Sequence, residues 1–173
     1  MDGWYRVSEM GLCTLLREER CMEYIISLDL SMSCTGCSIF SNDGKFIKTC
    51  HIETKGSEIT PLRLRTIAKF LNKIKKEYKP IKIIIEKGFY RFAKSTEQVF
   101  RVHGITNLIF YNTEQVEIHA TSVRKLVTGH GNINKEEMSK WIIEKYPDII
   151  FANNDEIDSY ALGIAYFKQI GVL

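Results

Sequence analysis

Residues 24–40, YIISLDLSMSCTGCSIF, decide how the rest of the chain is interpreted. The stretch begins with five mostly apolar residues, which is typical of a strand buried in a sheet, and then places Asp29 where the next buried side chain is expected. Burial disfavours the charged form of a carboxyl group unless a cation or a hydrogen-bond donor lies beside it. Asp29 therefore predicts that other parts of the fold bring a positive partner to the end of this first strand.

The composition is that of an ordinary soluble globular protein. The 173 residues, 45% hydrophobic and 26% charged, are sufficient for one domain with one substantial core. We expect a cytoplasmic protein, because no run reaches the roughly 18 apolar residues of a membrane span and the N-terminus lacks a signal-peptide pattern. Five cysteines, an odd number, fit a reducing compartment better than a disulfide framework.

The positive charge is concentrated in one segment. Residues 61–101 contain twelve Lys and Arg but three Glu, whereas the segments on either side carry net negative charge. Such a basic segment predicts a polyanionic partner such as a nucleic acid. The alternative is a solvated helix face without a partner.

Residues 1–21 do not share the pattern of the rest of the chain. We interpret them as an N-terminal extension that is either disordered or not native, with Met22 as the natural start. The alternative is a flexible arm or a short docking helix. A single domain then covers residues 22–173.

Hydrophobic periodicity and turn residues predict the element order β-β-β-α-β-α-β-α-α-α. Three strands over 24–31, 35–41 and 45–53 form a meander, since Asn42, Asp43 and Gly44 are a strong hairpin signal. The remaining elements are a helix over 61–78, a strand over 81–85 that Glu86 closes, a helix over 95–111, a strand over 115–119, a helix over 120–128, a helix from the Asn134 cap to 146, and a helix over 155–170. Meandering strands followed by strands separated by helices predict an α/β fold with a mixed five-stranded sheet flanked by helices.

Four acidic residues are conspicuous by their positions. Asp29 lies in the first strand, Glu86 ends the apolar fourth strand, and Asp155 and Asp158 share one face of the last helix. If the first and fourth strands are parallel neighbours, all four carboxylates converge, and they then repel one another unless a cation is present. Oxygen ligands suit Mg²⁺ or Mn²⁺, and two such ions about 3.5–4 Å apart are the usual device for phosphodiester hydrolysis.

Each acid also has an ordinary interpretation. Asp155 and Asp158 are favourable at any helix N-terminus, and Glu86 could pair with Lys87 or Arg91. Asp29 is the hardest of the four to explain in this way.

The chain from residue 24 onward resembles the RuvC family of Holliday junction resolvases, which includes phage-encoded members. The segments that carry the resemblance are residues 26–31 (ISLDLS), 83–86 (IIIE), 123–135 (VRKLVTGHGNINK) and 155–162 (DEIDSYAL). The resemblance implies an RNase H-like fold and a homodimer. It also implies a Mg²⁺-dependent enzyme that nicks two opposed strands of a four-way DNA junction.

The resemblance assigns roles to residues by position. Asp29, Glu86, Asp155 and Asp158 would be catalytic metal ligands for two ions. Lys125 and Lys135 match basic residues near the scissile phosphate, and Lys135 is the better candidate for transition-state stabilisation. The expected DNA-binding residues are Lys69, Lys73, Lys76, Phe89, Arg91, Lys94, Arg124 and Lys125.

Phe89 matches an aromatic residue at the junction centre. It could stack on an unpaired base, contact a second subunit or pack within its own loop. The helix over 95–111 matches the dimer-interface helix, with His103 and Gly104 where a close approach is needed.

The chain departs from the family pattern at several positions. The usual Pro-Gly after the first-strand acid is replaced by Leu30 and Ser31, and Glu156 adds a possible extra ligand. Cys34 and Cys37 form a CxxC without a second pair, which makes a zinc site improbable.

Two alternatives to junction resolution stay open. The first is a nuclease of the same fold that acts on other branched DNA or on RNA. The second is a non-catalytic junction-binding protein, although pure DNA binding gains nothing from carboxylates that face phosphate.

Overall fold

The computed structural model describes residues 22–87 and 93–173, which form five strands and five helices. In chain order these are β1 Tyr24–Asp29, β2 Cys34–Ser41, β3 Phe46–Glu53, α1 Thr60–Tyr78, β4 Lys82–Glu86, α2 Ala93–Ile109, β5 Glu114–Ile118, α3 Ala120–Thr128, α4 Lys135–Lys145 and α5 Asn154–Gln169. The predicted order is confirmed, with boundaries displaced by at most two residues. Within the described ranges, every helix is too short or too polar to cross a bilayer.

The five strands form one mixed sheet in the order β3-β2-β1-β4-β5. β1 pairs antiparallel with β2 and parallel with β4, while β2–β3 is antiparallel and β4–β5 is parallel. The predicted mixed sheet is confirmed, and β1 and β4 are the parallel neighbours that convergence of the acids requires. β1, which carries Asp29, therefore lies at the centre of the sheet.

Helices cover both faces of the sheet and enclose two hydrophobic cores. Ile25 on β1 packs in the core beneath α3, α4 and α5, whereas its neighbour Ile26 packs in the core beneath α1 and α2. This alternation follows from the two-residue period of a strand. It fixes which face each later residue of β1 occupies, so that Asp29 points to the same side as Ile25.

Helix α5 packs directly on β1 and β2. Ser27 on β1 donates a hydrogen bond of 2.6 Å from its hydroxyl to the carbonyl oxygen of Ser159, and the Ser38 hydroxyl on β2 lies 2.7 Å from that of Ser159. All three serines are buried, and their polar groups are satisfied across the helix–sheet contact. These bonds hold the helix in a fixed register over the two strands.

Gly163 allows the close approach of α5, and Gly163→Ala tests this packing. A Cβ at this position would lie 2.2 Å from Cε2 of Phe40 and 2.9 Å from the hydroxyl oxygen of Ser27, both fully buried. We expect a loss of about 1–3 kcal/mol in the free energy of unfolding, measured by urea denaturation, because the core must expand. Gly56→Ala is the control, since nothing lies within 4 Å of a Cβ there. Equal effects of the two substitutions would contradict the close packing.

Candidate active site

The register of the sheet places Asp29, Gly36 and His51 in one row across β1, β2 and β3. Asp29 is paired with Gly36, and Gly36 is paired with His51. Glu86 on β4 extends the row, because it lies one residue beyond Ile85, which is paired with Leu28 of β1. Residues opposite one another on neighbouring strands point to the same face, so the whole row faces α5.

The first turn of α5 lies against this row at Gly36. A Cβ on Gly36 would lie 2.0 Å from the backbone carbonyl oxygen of Asp155. Glycine is therefore required at this position, because any side chain would push the helix off the sheet. The contact brings the acidic first turn of α5 over the acids of β1 and β4.

Three of the four acids face one pocket of about 120 Å³. Its lining is formed by Asp29, Glu86 and Asp158 together with Ala120, Val123, Arg124, Lys135 and Met138. The acids come from β1, β4 and α5, and the two cations come from α3 and α4. Residues that are distant in sequence therefore form one charged site.

Asp155 does not line the pocket but lies beside it. Its carboxylate contacts the thiol of Cys34, and its charge also acts on Asp29 and Asp158. Burial and the neighbouring Asp155 raise the pKa of the Cys34 thiol to about 12. Asp155 thus adds negative charge to the site, while its side chain points toward β2.

The acids raise one another's pKa values. Burial, followed by repulsion from Asp158, raises the pKa of Asp29 to about 8 from an ordinary value of 3.8, although Lys135 opposes the shift. Loss of water also raises the pKa values of Glu86 and Asp158, while Lys135 and Arg124 lower them. If all four acids were ionised, the site would hold more negative charge than its two cations balance.

Lys135 is positioned by the start of α4 and pairs with Asp158. Asn134 caps this helix, and Glu137 completes a capping box with hydrogen bonds of 2.9 and 3.0 Å. Burial by itself would lower the pKa of Lys135, but the ion pair with Asp158 outweighs it and raises the pKa. Apart from this ion pair, both carboxylate oxygens of Asp158 are buried without a hydrogen-bond partner in the described part of the chain.

The donor set fits a hard divalent cation. The Asp158 oxygen that Lys135 does not contact and the buried carboxyl group of Asp29 are the groups that such an ion would stabilise. Among residues 22–87 and 93–173, no three His, Cys, Asp or Glu side chains are already arranged around a metal position. In this structure, the ammonium group of Lys135 is the cation that contacts Asp158.

The pocket contains Arg124, whereas Lys125 does not line it. Ala120 and Arg124 are four residues apart on α3 and face the pocket together, while Lys125 is exposed on another side of the helix. Both residues were expected to bind DNA, and helical spacing from the buried Val123 and Val127 is the sequence signal that distinguishes Arg124 from Lys125.

The structure also locates Glu156 and the two cysteines of the CxxC sequence. Glu156 does not line the pocket, because its carboxylate accepts hydrogen bonds from His51 and from the backbone of Ala152. Cys34 and Cys37 are three residues apart on β2 and point to opposite faces of the sheet, so they do not form one zinc site.

The other expected DNA-binding residues divide into three that the structure describes and three whose side chains it does not. Lys69, Lys73 and Lys76 are exposed on α1, which covers the other face of the sheet from α5. Phe89 and Arg91, and the side chain of Lys94, lie outside the described residues.

Comparison with known proteins identifies the family. The family model described as crossover junction endodeoxyribonuclease RuvC matches residues 25–165. The chain belongs to the RuvC family. The crossover junction endodeoxyribonuclease RuvC of Ehrlichia chaffeensis is 31% identical over 154 residues, covering 84% of this chain and 97% of that protein. The protein of the same name from Gluconobacter oxydans is 27% identical over 148 residues, covering 82% and 88%.

Solved RuvC structures share the fold. The Thermus thermophilus RuvC structure superimposes with a TM-score of 0.71 at 16% identity, covering 86% of this chain and 97% of that chain. The T. thermophilus RuvC in complex with Holliday junction substrate also gives a TM-score of 0.71, at 14% identity, with coverage of 86% and 94%. The RNase H-like fold expected from the sequence is confirmed.

The raised pKa of Asp29 predicts how stability depends on pH in EDTA. Between about pH 4 and pH 8 the folded state keeps the Asp29 proton that the unfolded state has lost, so rising pH favours unfolding. Asp29→Asn removes this effect, and we expect the variant to be more stable than the wild type at pH 8 by about 1 kcal/mol or more. The difference should shrink toward pH 4, as measured by urea denaturation.

Asp148→Asn is the control for this experiment, because Asp148 is an exposed acid between α4 and α5. It should leave the pH profile of the wild type unchanged. A stability difference between Asp29→Asn and the wild type that is independent of pH would contradict the raised pKa.

Proposed function

We propose that this protein is a crossover junction endodeoxyribonuclease that resolves four-way (Holliday) DNA junctions by paired symmetric nicks. The observation that carries the proposal is the pocket in which Asp29, Glu86 and Asp158 meet Lys135 and Arg124, within a chain of the RuvC family. The solved T. thermophilus RuvC complex holds a Holliday junction substrate. Pure DNA binding would not favour buried carboxylates that repel phosphate.

RuvC-family nucleases depend on metal ions, and we propose Mg²⁺, or Mn²⁺, as the metal of this protein, with two ions in each active site. Such ions activate a water molecule and stabilise the leaving oxygen in phosphodiester hydrolysis. Asp29, Glu86 and Asp158 would hold them, with Asp155 beside the pocket as the fourth acid. The carboxyl group of Asp29 would lose its proton when an ion binds, because the ion replaces the proton as the balancing charge.

Lys135 and Arg124 supply the protein's own positive charge at the scissile phosphate. Lys135 pairs with Asp158 in this structure and would turn to the phosphate when metal neutralises the acids. Arg124, which also lines the pocket, acts electrostatically on Glu86 and Asp158. A fixed cation beside a phosphate that gains charge stabilises the transition state more than the ground state.

The proposed enzyme is a homodimer, since a two-fold axis matches the near-symmetry of a four-way junction and places two sites on opposed strands. Helix α2 supports this assignment. Leu108 on α2 and Tyr111 just beyond it are 74% and 79% exposed, and nothing lies within 4 Å of a Cβ built on Gly104. A second α2 could pack closely against this surface.

The proposed domain covers residues 22–173, with residues 1–21 as an extension, and the family match to residues 25–165 supports this division. We propose that the enzyme acts in the cytoplasm of a bacterial or phage-infected cell, where DNA recombination produces four-way junctions.

Asp29→Asn tests the proposed catalytic role. We expect wild-type protein with Mg²⁺ to make paired symmetric nicks in a mobile four-way junction. Asp29→Asn should cut at least about 100-fold more slowly, because the metal loses its central ligand. Junction affinity in EDTA should be retained, because a carboxylate facing phosphate is not needed for binding. Asp148→Asn is the control that should cut normally.

Two results would overturn the proposed function. If Asp29→Asn cleaved the junction at the wild-type rate, the pocket around Asp29 would not be the active site. Preference for flaps, three-way junctions or RNA–DNA hybrids in competition with the four-way junction would assign the enzyme a different substrate.

The basic face of α1 predicts a change in salt dependence. If Lys69, Lys73 and Lys76 contact phosphates, replacing all three with alanine weakens junction binding and reduces the slope of log affinity against log salt by about 2–3. Lys45→Ala is the control, because Lys45 is exposed at the β2–β3 hairpin. Equal slopes for the triple variant and the wild type would show that this face is only solvated.

A further inference from the structure

Glu156 is a buried carboxylate that the proposed metal site does not use. It is 4% exposed, and it lies in the first turn of α5 between Asp155 and Asp158. One carboxylate oxygen lies 2.7 Å from Nδ1 of His51 on β3, and the other accepts a hydrogen bond of 2.9 Å from the backbone N–H of Ala152. Both oxygens are therefore satisfied, which a buried carboxylate requires.

Helix α4 shows that the contact between Glu156 and His51 is not a general feature of helix N-termini in this protein. Both α4 and α5 have an asparagine cap followed three residues later by glutamate. In α4 the exposed Glu137 returns to the backbone N–H of Asn134 and closes a capping box. In α5 the Asn153 side chain accepts the expected bond from the Glu156 N–H, but the Glu156 carboxylate reaches Ala152 and His51 instead.

His51 belongs to the same row of the sheet as Asp29. The two residues lie on either side of Gly36, over which the backbone of Asp155 passes. The first turn of α5 thus meets the sheet at Gly36 and at His51. Movement of α5 along the row would change the separation between the acids of α5 and those of β1 and β4.

We propose that His51 and Glu156 are positioning residues that fix the first turn of α5, and with it Asp155 and Asp158, for metal binding. The inference rests on the proposed metal-dependent nuclease function. It makes the position of the α5 acids depend on His51, a residue of β3. A hydrogen bond fixes distance and direction, whereas an apolar contact at the same place would allow the helix to slide. Neither residue touches the metal or the DNA in this role.

The matched variants are His51→Leu and His51→Asn. Leucine fills a similar volume without a donor, whereas the asparagine side-chain amide places an N–H near the position of Nδ1. We expect His51→Leu to lower the single-turnover cleavage rate at saturating junction by about 10- to 100-fold, with junction affinity in EDTA unchanged. His51→Asn should restore most of that rate.

A metal titration gives a readout that does not depend on cleavage. Mn²⁺ binding to the free protein, followed by the electron paramagnetic resonance signal of unbound Mn²⁺, should weaken about 10-fold in His51→Leu and recover in His51→Asn. Glu156→Ala should weaken Mn²⁺ binding at least as much as His51→Leu, because it also leaves the backbone N–H of Ala152 without its partner. The double variant should be no worse than Glu156→Ala, because His51 acts through Glu156. Lys48→Ala is the control, since its ion pair with Glu77 ties β3 to α1 on the other face.

Two results would overturn the positioning role. One is a His51→Leu protein with wild-type cleavage and Mn²⁺ affinity. The other is equal impairment of His51→Leu and His51→Asn together with lower melting temperatures and weaker junction binding, which would show a general structural role. If the wild-type protein bound Mn²⁺ but left the junction intact, the proposed function would be wrong. The Mn²⁺ titrations would still decide the role of His51.

Discussion

The close contact between the first turn of α5 and the centre of the sheet is the constraint on which the site depends. It requires a residue without a side chain at Gly36, because the carbonyl oxygen of Asp155 occupies the space that a Cβ would fill. The contact is maintained along the helix by Ser159 and Gly163, which bond to and pack against β1 and β2. The geometry of the acids is therefore a consequence of helix–sheet packing over the whole length of α5.

This packing concentrates negative charge in a place where water is scarce. The pKa of Asp29 is raised because burial and three neighbouring acids all favour the protonated form of its carboxyl group. Lys135 and Arg124 offset part of the repulsion, and a divalent ion would offset the rest. The repulsion that destabilises the metal-free site is thus the same property that gives it affinity for a hard cation.

The interactions around the pocket differ in kind from those within it. Inside the pocket, groups of like charge are held together and remain incompletely satisfied, as the oxygens of Asp158 show. Outside it, the carboxylate of Glu156 has two well-formed partners and no role for a cation. Sites that bind metal commonly combine such under-satisfied ligands with fully satisfied supporting groups, because the second set holds the first in place.

The sequence by itself determined the order of the elements and the mixed sheet, because strand alternation, turn residues and helix caps are local signals. It made the meeting of Asp29 with Glu86 conditional on β1 and β4 being neighbours, a pairing between distant segments that the tertiary structure decided. It did not determine where the side chains of Asp155 and Glu156 point, nor that Arg124 rather than Lys125 lines the pocket. Those outcomes depend on the rotation of α3 and α5 against the sheet, which is set by packing at residues such as Gly36. Helical periodicity gives the face of a helix but not the angle at which that face meets its partner, so only the tertiary structure decided them.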